Sequence, residues 1–265
     1  MFRFRLTAVC LVFICCDMAV SADEVLYGSI EGRVIYRGEH SELEPLFRAG
    51  DEVKDAEVCA SNDLPDERLV VDTESRGVSN VLVWLKRRKD APVHPDLTKQ
   101  PLNIPELTFQ GCRIRPHVLC AQTQTGMKVV SKDAVTHGPH DYPLRNPVGC
   151  VLLAPGLPGK KEFSNIHNFH VAEPLPMKIT CDFHPWIMGY VLVQDHPYMA
   201  VTDKQGRFRI EKVPCGEIKV QIWHELAGYL RRDQTIELNL PEKKIEDTEL
   251  KIDEKTSASL RFVRK

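Results

Sequence analysis

Hydrophobic and polar residues alternate in short runs along most of this chain, and helical periodicity is scarce. Alternation with a period of two indicates β-strands, because successive side chains of a strand point to opposite faces. Gly, Pro and Asp bound the runs and predict turns between them. The pattern therefore predicts an all-β protein of antiparallel sandwiches or barrels. The clearest runs are SIEGRVIYRG (29–38), VSNVLVWLKR (78–87), MKVVS (127–131), PMKITC (176–181), YVLVQ (190–194), GRFRIEKV (206–213), EIKVQIW (217–223) and QTIELNL (234–240).

The first 22 residues have the features of a secretory signal peptide. Arg3 and Arg5 precede an apolar run, and the small residues V-S-A end at Ala22, where we predict cleavage. Lipid attachment at Cys15 or Cys16 is less favoured, because neither follows small residues. No later run approaches the ~20 apolar residues of a membrane helix. The sequence thus predicts an exported protein of the periplasm or cell surface, with no transmembrane segment in the mature chain.

Composition and charge narrow the range of functions. Of the 265 residues, 43% are hydrophobic and 27% charged, which is typical of a folded globular protein. The net charge of −2 gives no electrostatic reason to expect nucleic acid as a partner. The chain has no phosphate-binding loop, dinucleotide fingerprint or H-E-x-x-H motif, so we predict that it is not an enzyme. Residues 39–66 and 86–108 are rich in proline and charge and are predicted to be long loops.

Export changes the interpretation of the cysteines. Removal of the signal peptide leaves six of them, and an oxidising compartment favours disulfide bonds. The spacing of the cysteines does not fix their pairing, and Cys59 with Cys112 is the pair that we prefer. If Cys181 binds a metal ion, at least one of the other five is an unpaired thiol. The six are Cys59, Cys112, Cys120, Cys150, Cys181 and Cys215.

Two distant segments have the form of one interrupted domain. The segment AVTDKQGRFRIEKVPCGEIKVQIWHELAGYL (200–230) resembles the transthyretin-like β-sandwich of carboxypeptidase-regulatory-type domains, in which a strand of the form G-x-I-x-G-x-V-x-Y-x-G should come first. That strand matches GSIEGRVIYRG (28–38), some 165 residues too early. An insertion explains the gap. The predicted organisation is a signal peptide (1–22), a transthyretin-like sandwich in two parts (23–108 and 196–265) and an inserted domain (109–195).

The inserted region contains two motifs with soft metal-binding side chains. The segment SKDAVTH (131–137) ends in a histidine, and CDFHPWIMGY (181–190) contains cysteine, histidine and methionine. Together they resemble the cupredoxin-like (blue-copper) domains of exported bacterial proteins of the methylamine-utilization and plastocyanin-like type, with their motifs N-S-D-x-x-H-N and C-x-I-H-P-W-M. This resemblance implies a Greek-key sandwich and one type 1-like copper ion. Two imidazoles and a thiolate would lie in its plane, with a thioether as the weak axial ligand. The ligands implied are His137, Cys181, His184 and Met188.

The chain departs from the cupredoxin pattern at two positions. Gly138 replaces the asparagine that follows the first histidine, and Ile187 replaces the methionine that follows the tryptophan. Met188 comes one residue later, and a shift of one residue along a strand moves a side chain to the opposite face. His140 is an alternative to His137 as a ligand.

These motifs predict a copper-binding carrier of single electrons that acts with an unidentified redox partner protein. The alternative is a metal-free β-sandwich that binds carbohydrate, peptide or another cell-surface component, and Gly138 and Ile187 favour this alternative. The state of Cys181 distinguishes the two, because a disulfide bond there excludes the thiolate that copper requires.

Overall fold

The computed structural model describes residues 25–37, 43–86, 91–99, 104–123, 125–150, 152–155, 163–238, 242–244 and 248–250. Within these residues the chain consists mainly of strands arranged in four sheets, so the predicted all-β class is confirmed. The predicted signal peptide lies outside the described residues. Neither described helix has the length and apolar composition needed to cross a membrane.

Each of the eight predicted runs overlaps a strand, whereas the strands at 106–109, 114–115, 118–122, 139–142 and 163–167 match none of those runs. The strands are β1 (Tyr27–Tyr36), β2 (Leu82–Lys86), β3 (Glu106–Phe109), β4 (Ile114–Arg115), β5 (Val118–Gln122), β6 (Met127–Ser131), β7 (Pro139–Tyr142), β8 (Phe163–His167), β9 (Met177–Cys181), β10 (Met188–Gln194), β11 (Met199–Val201), β12 (Arg207–Pro214), β13 (Gly216–His224), β14 (Gly228–Leu238), β15 (Glu242–Lys244) and β16 (Thr248–Leu250). The helices are α1 (Ala56–Cys59) and α2 (Pro95–Lys99).

The middle of the chain forms a sandwich of two four-stranded sheets, which we call the middle sandwich. Its sheets have the strand orders β4-β3-β6-β8 and β5-β10-β9-β7. The pairs β3–β6 and β5–β10 are parallel and the other pairs antiparallel, so the chain crosses repeatedly between the two sheets. One buried cluster lies between them, and its members include Leu107, Phe109, Met127, Ile179, Ile187 and Val191.

The first and last parts of the described chain pair with each other to form a second sandwich, which we call the outer sandwich. β1 pairs with β12, and β2 pairs with both β11 and β13. The sheets are β12-β1-β15, in which β1 also pairs with β16, and β11-β2-β13-β14. An interrupted domain requires such pairings between distant segments. The division into the transthyretin-like parts 23–108 and 196–265 and the inserted domain 109–195 stays a prediction.

The two sandwiches share an apolar interface, which explains why β2 is hydrophobic at four consecutive positions. Val83 and Leu85 face the core of the outer sandwich, whereas Leu82 and Trp84 face a separate cluster that contains Leu192 of β10. A strand covered on both faces loses the usual alternation. Burying a side chain of this size stabilises the fold by roughly 1.5–3 kcal/mol, so the interface holds the sandwiches together.

The segment 46–64 packs on the middle sandwich, although the predicted boundaries place it in the first part of the other domain. Phe47, Cys59 and Leu64 belong to the buried cluster of the middle sandwich. Cys59, at the end of α1, forms a disulfide bond with Cys112 in the turn between β3 and β4. This pairing is the one preferred from the sequence, and it attaches the segment to the sandwich covalently. We call residues 46–64 the covering segment.

Candidate metal centre

Three soft donors converge at one end of the middle sandwich. The Cys181 Sγ lies 3.7 Å from the His137 Nδ1 and 3.6 Å from the His184 Nδ1. All three side chains are buried, with exposed fractions of 0% for both histidines and 3% for the cysteine. Cys181 is a free thiol in the structure. The structure therefore brings together three of the residues that the sequence motifs single out, with the sulfur available as a ligand.

Backbone hydrogen bonds fix the positions of these three residues. Cys181 ends β9 and pairs with Pro139 of β7, which places His137 beside it. The Gly138 N–H donates to the Cys181 Sγ at 3.4 Å, and the Gly138 carbonyl accepts from the Asp182 N–H at 2.9 Å. The tight turn that carries His184 closes through the Ile187 N–H, which donates to the His184 carbonyl at 2.9 Å. Gly138 thus braces the site through its backbone, without the asparagine side chain of the cupredoxin pattern.

Each histidine contacts a carboxylate through its other ring nitrogen. The His137 Nε2 lies 2.9 Å from the Asp133 Oδ2, and the His184 Nε2 lies 2.9 Å from the Asp55 Oδ2. A carboxylate can only accept, so each Nε2 carries the proton in these contacts. In the neutral imidazole this leaves the Nδ1 lone pair directed at the sulfur side of the site. Such carboxylate–histidine pairs orient imidazole ligands and raise their basicity in metalloproteins.

The two carboxylates come from different parts of the chain. The backbone N–H groups of Gly111 and Cys112 donate to Asp133 at 2.6 and 2.9 Å, which ties it to the β3–β4 turn. Asp55 immediately precedes α1 in the covering segment. Sequence reasoning assigned a role to neither residue. The position of Asp133 four residues before His137, within the quoted motif, could have indicated it, whereas nothing in the predicted loop marked Asp55.

The environment of the site favours a thiolate on Cys181. Burial raises the pKa of this thiol, but its contacts with His137 and His184 and the hydrogen bonds from the backbone N–H groups of Gly138 and Phe183 outweigh it and lower the pKa to about 5. Burial lowers the pKa of His137, but its contacts with Asp133 and Cys181 raise it above the usual value. The deprotonated sulfur is the form that binds metal ions.

The separations between the donors match the requirements of a bound ion. Metal–nitrogen and metal–sulfur bonds of about 2.0 and about 2.3 Å, at angles from tetrahedral to trigonal, place nitrogen and sulfur about 3.5–3.7 Å apart. The observed distances of 3.6 and 3.7 Å agree with this. Two imidazoles and one thiolate are also the in-plane donors of blue-copper centres. The residues present therefore fit a copper ion.

Met188 lies on the opposite face of β10 from the three donors. Its neighbour Ile187 is 1% exposed and belongs to the same buried cluster as Cys181. The Tyr190 hydroxyl donates to the Met188 Sδ at 3.9 Å, and Tyr190 packs against the interface between the sandwiches. Residues two apart on a strand share a face. The structure therefore does not bring Met188 to the site, and Ile187 lies at the position where the cupredoxin pattern has methionine.

His140, the alternative to His137, is also separate from the buried donors. It lies on β7 and is partly exposed, and its Nδ1 contacts the Asp182 Oδ1 at 3.1 Å. Its ring stacks on Tyr142, with ring centroids 4.7 Å apart. The structure thus places His137, rather than His140, with Cys181 and His184.

Aromatic rings seal the three donors from solvent. Phe109 packs on the His137 ring and Trp186 on the His184 ring, with centroids 4.8 and 5.2 Å apart. The covering segment adds Phe47, whose ring contacts Trp186 edge-on at 5.2 Å. The indole N–H of Trp186 donates to the Cys112 carbonyl at 3.3 Å. A dry shell of this kind controls the dielectric around a metal centre and hence its redox potential.

Comparisons with known proteins find only distantly similar structures. No protein-family model and no curated protein matches the chain. Similar solved structures include a purple cupredoxin from Nitrosopumilus maritimus, with 20% identity over 34% of this chain and 99% of the other and a TM-score of 0.26. A copper-containing nitrite reductase from Thermus scotoductus SA-01 has 18% identity, covers 38% of this chain and 27% of the reductase, and has a TM-score of 0.29. A reduced mutant form of amicyanin has 15% identity over 42% of this chain and 98% of the other, again with a TM-score of 0.29. TM-scores this low carry no argument about function, which has to rest on the site itself.

Proposed function

We propose that this chain is an exported protein that binds one copper ion through His137, Cys181 and His184 and carries single electrons. The observation that carries the proposal is the set of two imidazole nitrogens and one sulfur at 3.6–3.7 Å, each imidazole backed by a carboxylate. Bound copper would supply the one-electron Cu(II)/Cu(I) couple. No enzymatic step is proposed.

The protein's contribution to electron transfer is a fixed donor geometry. Strand pairing holds Cys181, the carboxylates hold both rings, and the aromatic shell excludes water. Because interiors packed at this density resist rearrangement, the donors keep their places when the charge of the ion changes. Export would place the protein in the periplasm or at the cell surface, where a redox partner protein would exchange electrons with it. Cys181 is a free thiol, which supports copper binding over the metal-free alternative that Gly138 and Ile187 favour.

The first test is a Cu(II) titration of the chain from residue 23 onward, followed by visible absorption. We expect one equivalent of copper to produce an intense blue band from the copper–thiolate bond. The Cys181→Ser variant should lose this band completely, because a hydroxyl cannot replace the thiolate. The matched control is Cys215→Ser, which removes a free thiol in the outer sandwich and should leave the band unchanged. A wild-type chain that stays colourless with Cys181 reduced would overturn the proposal.

A second prediction concerns the axial position. We expect Met188→Leu to leave the visible band and the copper affinity unchanged within about twofold, because the Met188 side chain faces Tyr190 rather than the site. Ile187→Met places a thioether in the cluster that contains Cys181, and it should shift the band, since axial ligands tune blue-copper centres. Both changes conserve volume well. Loss of the band in Met188→Leu alone would show that the turn rearranges to bring Met188 to the metal.

A further inference from the structure

A second group of metal-binding side chains lies on the surface beside the buried donors. Its members are His140, Cys150 and Asp182, whose ligand atoms all lie within 4.8 Å of one another. The two carboxylate oxygens of Asp182 face different partners. The Oδ1 lies 3.1 Å from the His140 Nδ1, and the Oδ2 lies 3.7 Å from the Cys150 Sγ. We call these residues the surface triad.

The backbone holds the surface triad in place from three chain segments. His140 pairs with Thr180 in the β7–β9 ladder, two residues before Asp182. An isolated bridge places Cys150 opposite His140 on the other side. The Asp141 N–H donates to the Gly149 carbonyl at 3.1 Å, and the Asp141 carboxylate accepts from the Gly149 N–H. The three donors therefore converge because regular strand pairing, together with a loop that two hydrogen bonds hold in place, positions them.

The surface triad differs from the buried site in its donors and its access to solvent. Cys150 and Asp182 are exposed and His140 is partly exposed, whereas the buried donors are sealed. Partial desolvation and the Asp182 carboxylate raise the pKa of the Cys150 thiol, which donates to the Asp182 Oδ2, so a cation has to displace the thiol proton to bind the sulfur. One nitrogen, one sulfur and one oxygen ligand suit a borderline-soft divalent cation.

We propose that the surface triad binds a divalent cation of the Zn²⁺ type through His140, Cys150 and Asp182. Zinc bonds of about 2.0–2.3 Å at tetrahedral angles place N and O about 3.3 Å apart and S and O about 3.6 Å apart. One ligand atom from each of the three side chains already lies within 4.8 Å of the others, so small side-chain movements suffice to reach these separations. Three protein ligands leave the fourth position to water, so the ion at this exposed site is exchangeable.

The test uses the Cys181→Ser chain, in which the buried site has lost its thiolate, so its result is independent of the proposed copper function. Cobalt(II) is the probe, because cobalt–thiolate bonds absorb in the ultraviolet and tetrahedral cobalt absorbs in the visible. We expect one equivalent of Co²⁺ to produce both absorptions and Zn²⁺ to displace it. Adding Cys150→Ser should abolish the thiolate absorption and weaken Zn²⁺ binding at least about 100-fold, since the loss of an outer-shell partner alone costs about 10–100-fold.

Two further variants distinguish an effect on Zn²⁺ binding from an effect on the stability of the fold. His140→Ala in the same background should weaken Zn²⁺ binding while leaving the urea midpoint of the metal-free chain nearly unchanged, because the ring is partly exposed. Cys215→Ser should change neither quantity. The proposal is overturned if the Cys181→Ser chain shows no cobalt–thiolate absorption, or if that absorption survives Cys150→Ser.

Discussion

Replacing both Cys59 and Cys112 with alanine is expected to lower the free energy of unfolding of the metal-free protein by about 4 kcal/mol. The disulfide bond closes a loop with a sequence separation of 53 residues. The entropy of closing such a loop in the unfolded chain corresponds to about 4 kcal/mol. Alanine suits the double variant because both positions are buried, and a serine hydroxyl would need a partner there. Urea denaturation without metal measures the change.

The same double variant should bind copper at least about tenfold more weakly, because the disulfide joins both carboxylate supports. Cys59 ends the helix that Asp55 precedes, and the Cys112 N–H donates to Asp133. Cys215→Ser serves as the control and should stay within about 0.5 kcal/mol of the wild type. An unchanged urea midpoint together with unchanged copper affinity would show that packing alone, through residues such as Phe47, holds the covering segment.

The strands could be predicted from the sequence because alternation is a local property of the chain. The run at 190–194 lies within β10, and the run at 217–223 lies within β13. The covering segment could not be predicted in this way. Its helix α1 has four residues, too few for a helical period to show, and its position depends on burial of Phe47 and on a disulfide bond to a distant turn. Contacts of that kind leave no local pattern.

In the candidate site, too, the sequence predicts what depends on neighbouring residues and misses what depends on contacts between distant segments. Motif spacing identified Cys181 and His184 but left His137 and His140 as alternatives. Side chains three residues apart on an extended chain point to opposite faces, so only one of these two imidazoles could enter the core. The pattern did not show which one, because each histidine has one polar neighbour, Thr136 or Asp141, and one glycine or proline neighbour. The choice depends on Asp133 and the β7–β9 pairing, which exist only in the folded chain.

The burial of the site depends on a part of the chain far from the metal-binding motifs. The covering segment supplies Asp55 to His184 and packs Phe47 against Trp186, so it contacts two rings of the 181–190 turn. His184 is 0% exposed as a result. Electrons exchanged with a partner protein would therefore cross a layer of protein rather than pass through an exposed imidazole. The covering segment thus contributes to the proposed function by burying the ligand His184.

Asp133→Ala is expected to destabilise the metal-free protein by about 3 kcal/mol and to weaken copper binding about 10–100-fold. The carboxylate accepts hydrogen bonds from the His137 Nε2 and from the backbone N–H groups of Gly111 and Cys112. Water can reach the N–H of Gly111, which is exposed, but Cys112 and His137 are buried and would lose their partner. Each buried group left unpaired costs about 1–3 kcal/mol. Urea denaturation and competition with a copper chelator measure the two effects.

The matched control is Asp55→Ala, which removes the corresponding carboxylate from His184. The Asp55 side chain is 38% exposed, and water can replace it at the ring nitrogen. We therefore expect this variant to weaken copper binding while lowering the free energy of unfolding by about 1 kcal/mol, mainly because Asp55 has a φ of 53°, a left-handed conformation that aspartate adopts more readily than alanine. The contrast separates the two roles of a carboxylate at this site, because only Asp133 also holds the β3–β4 turn. Equal losses of stability in both variants would contradict this assignment, and unchanged copper affinity in both would show that the carboxylates do not orient the ligands.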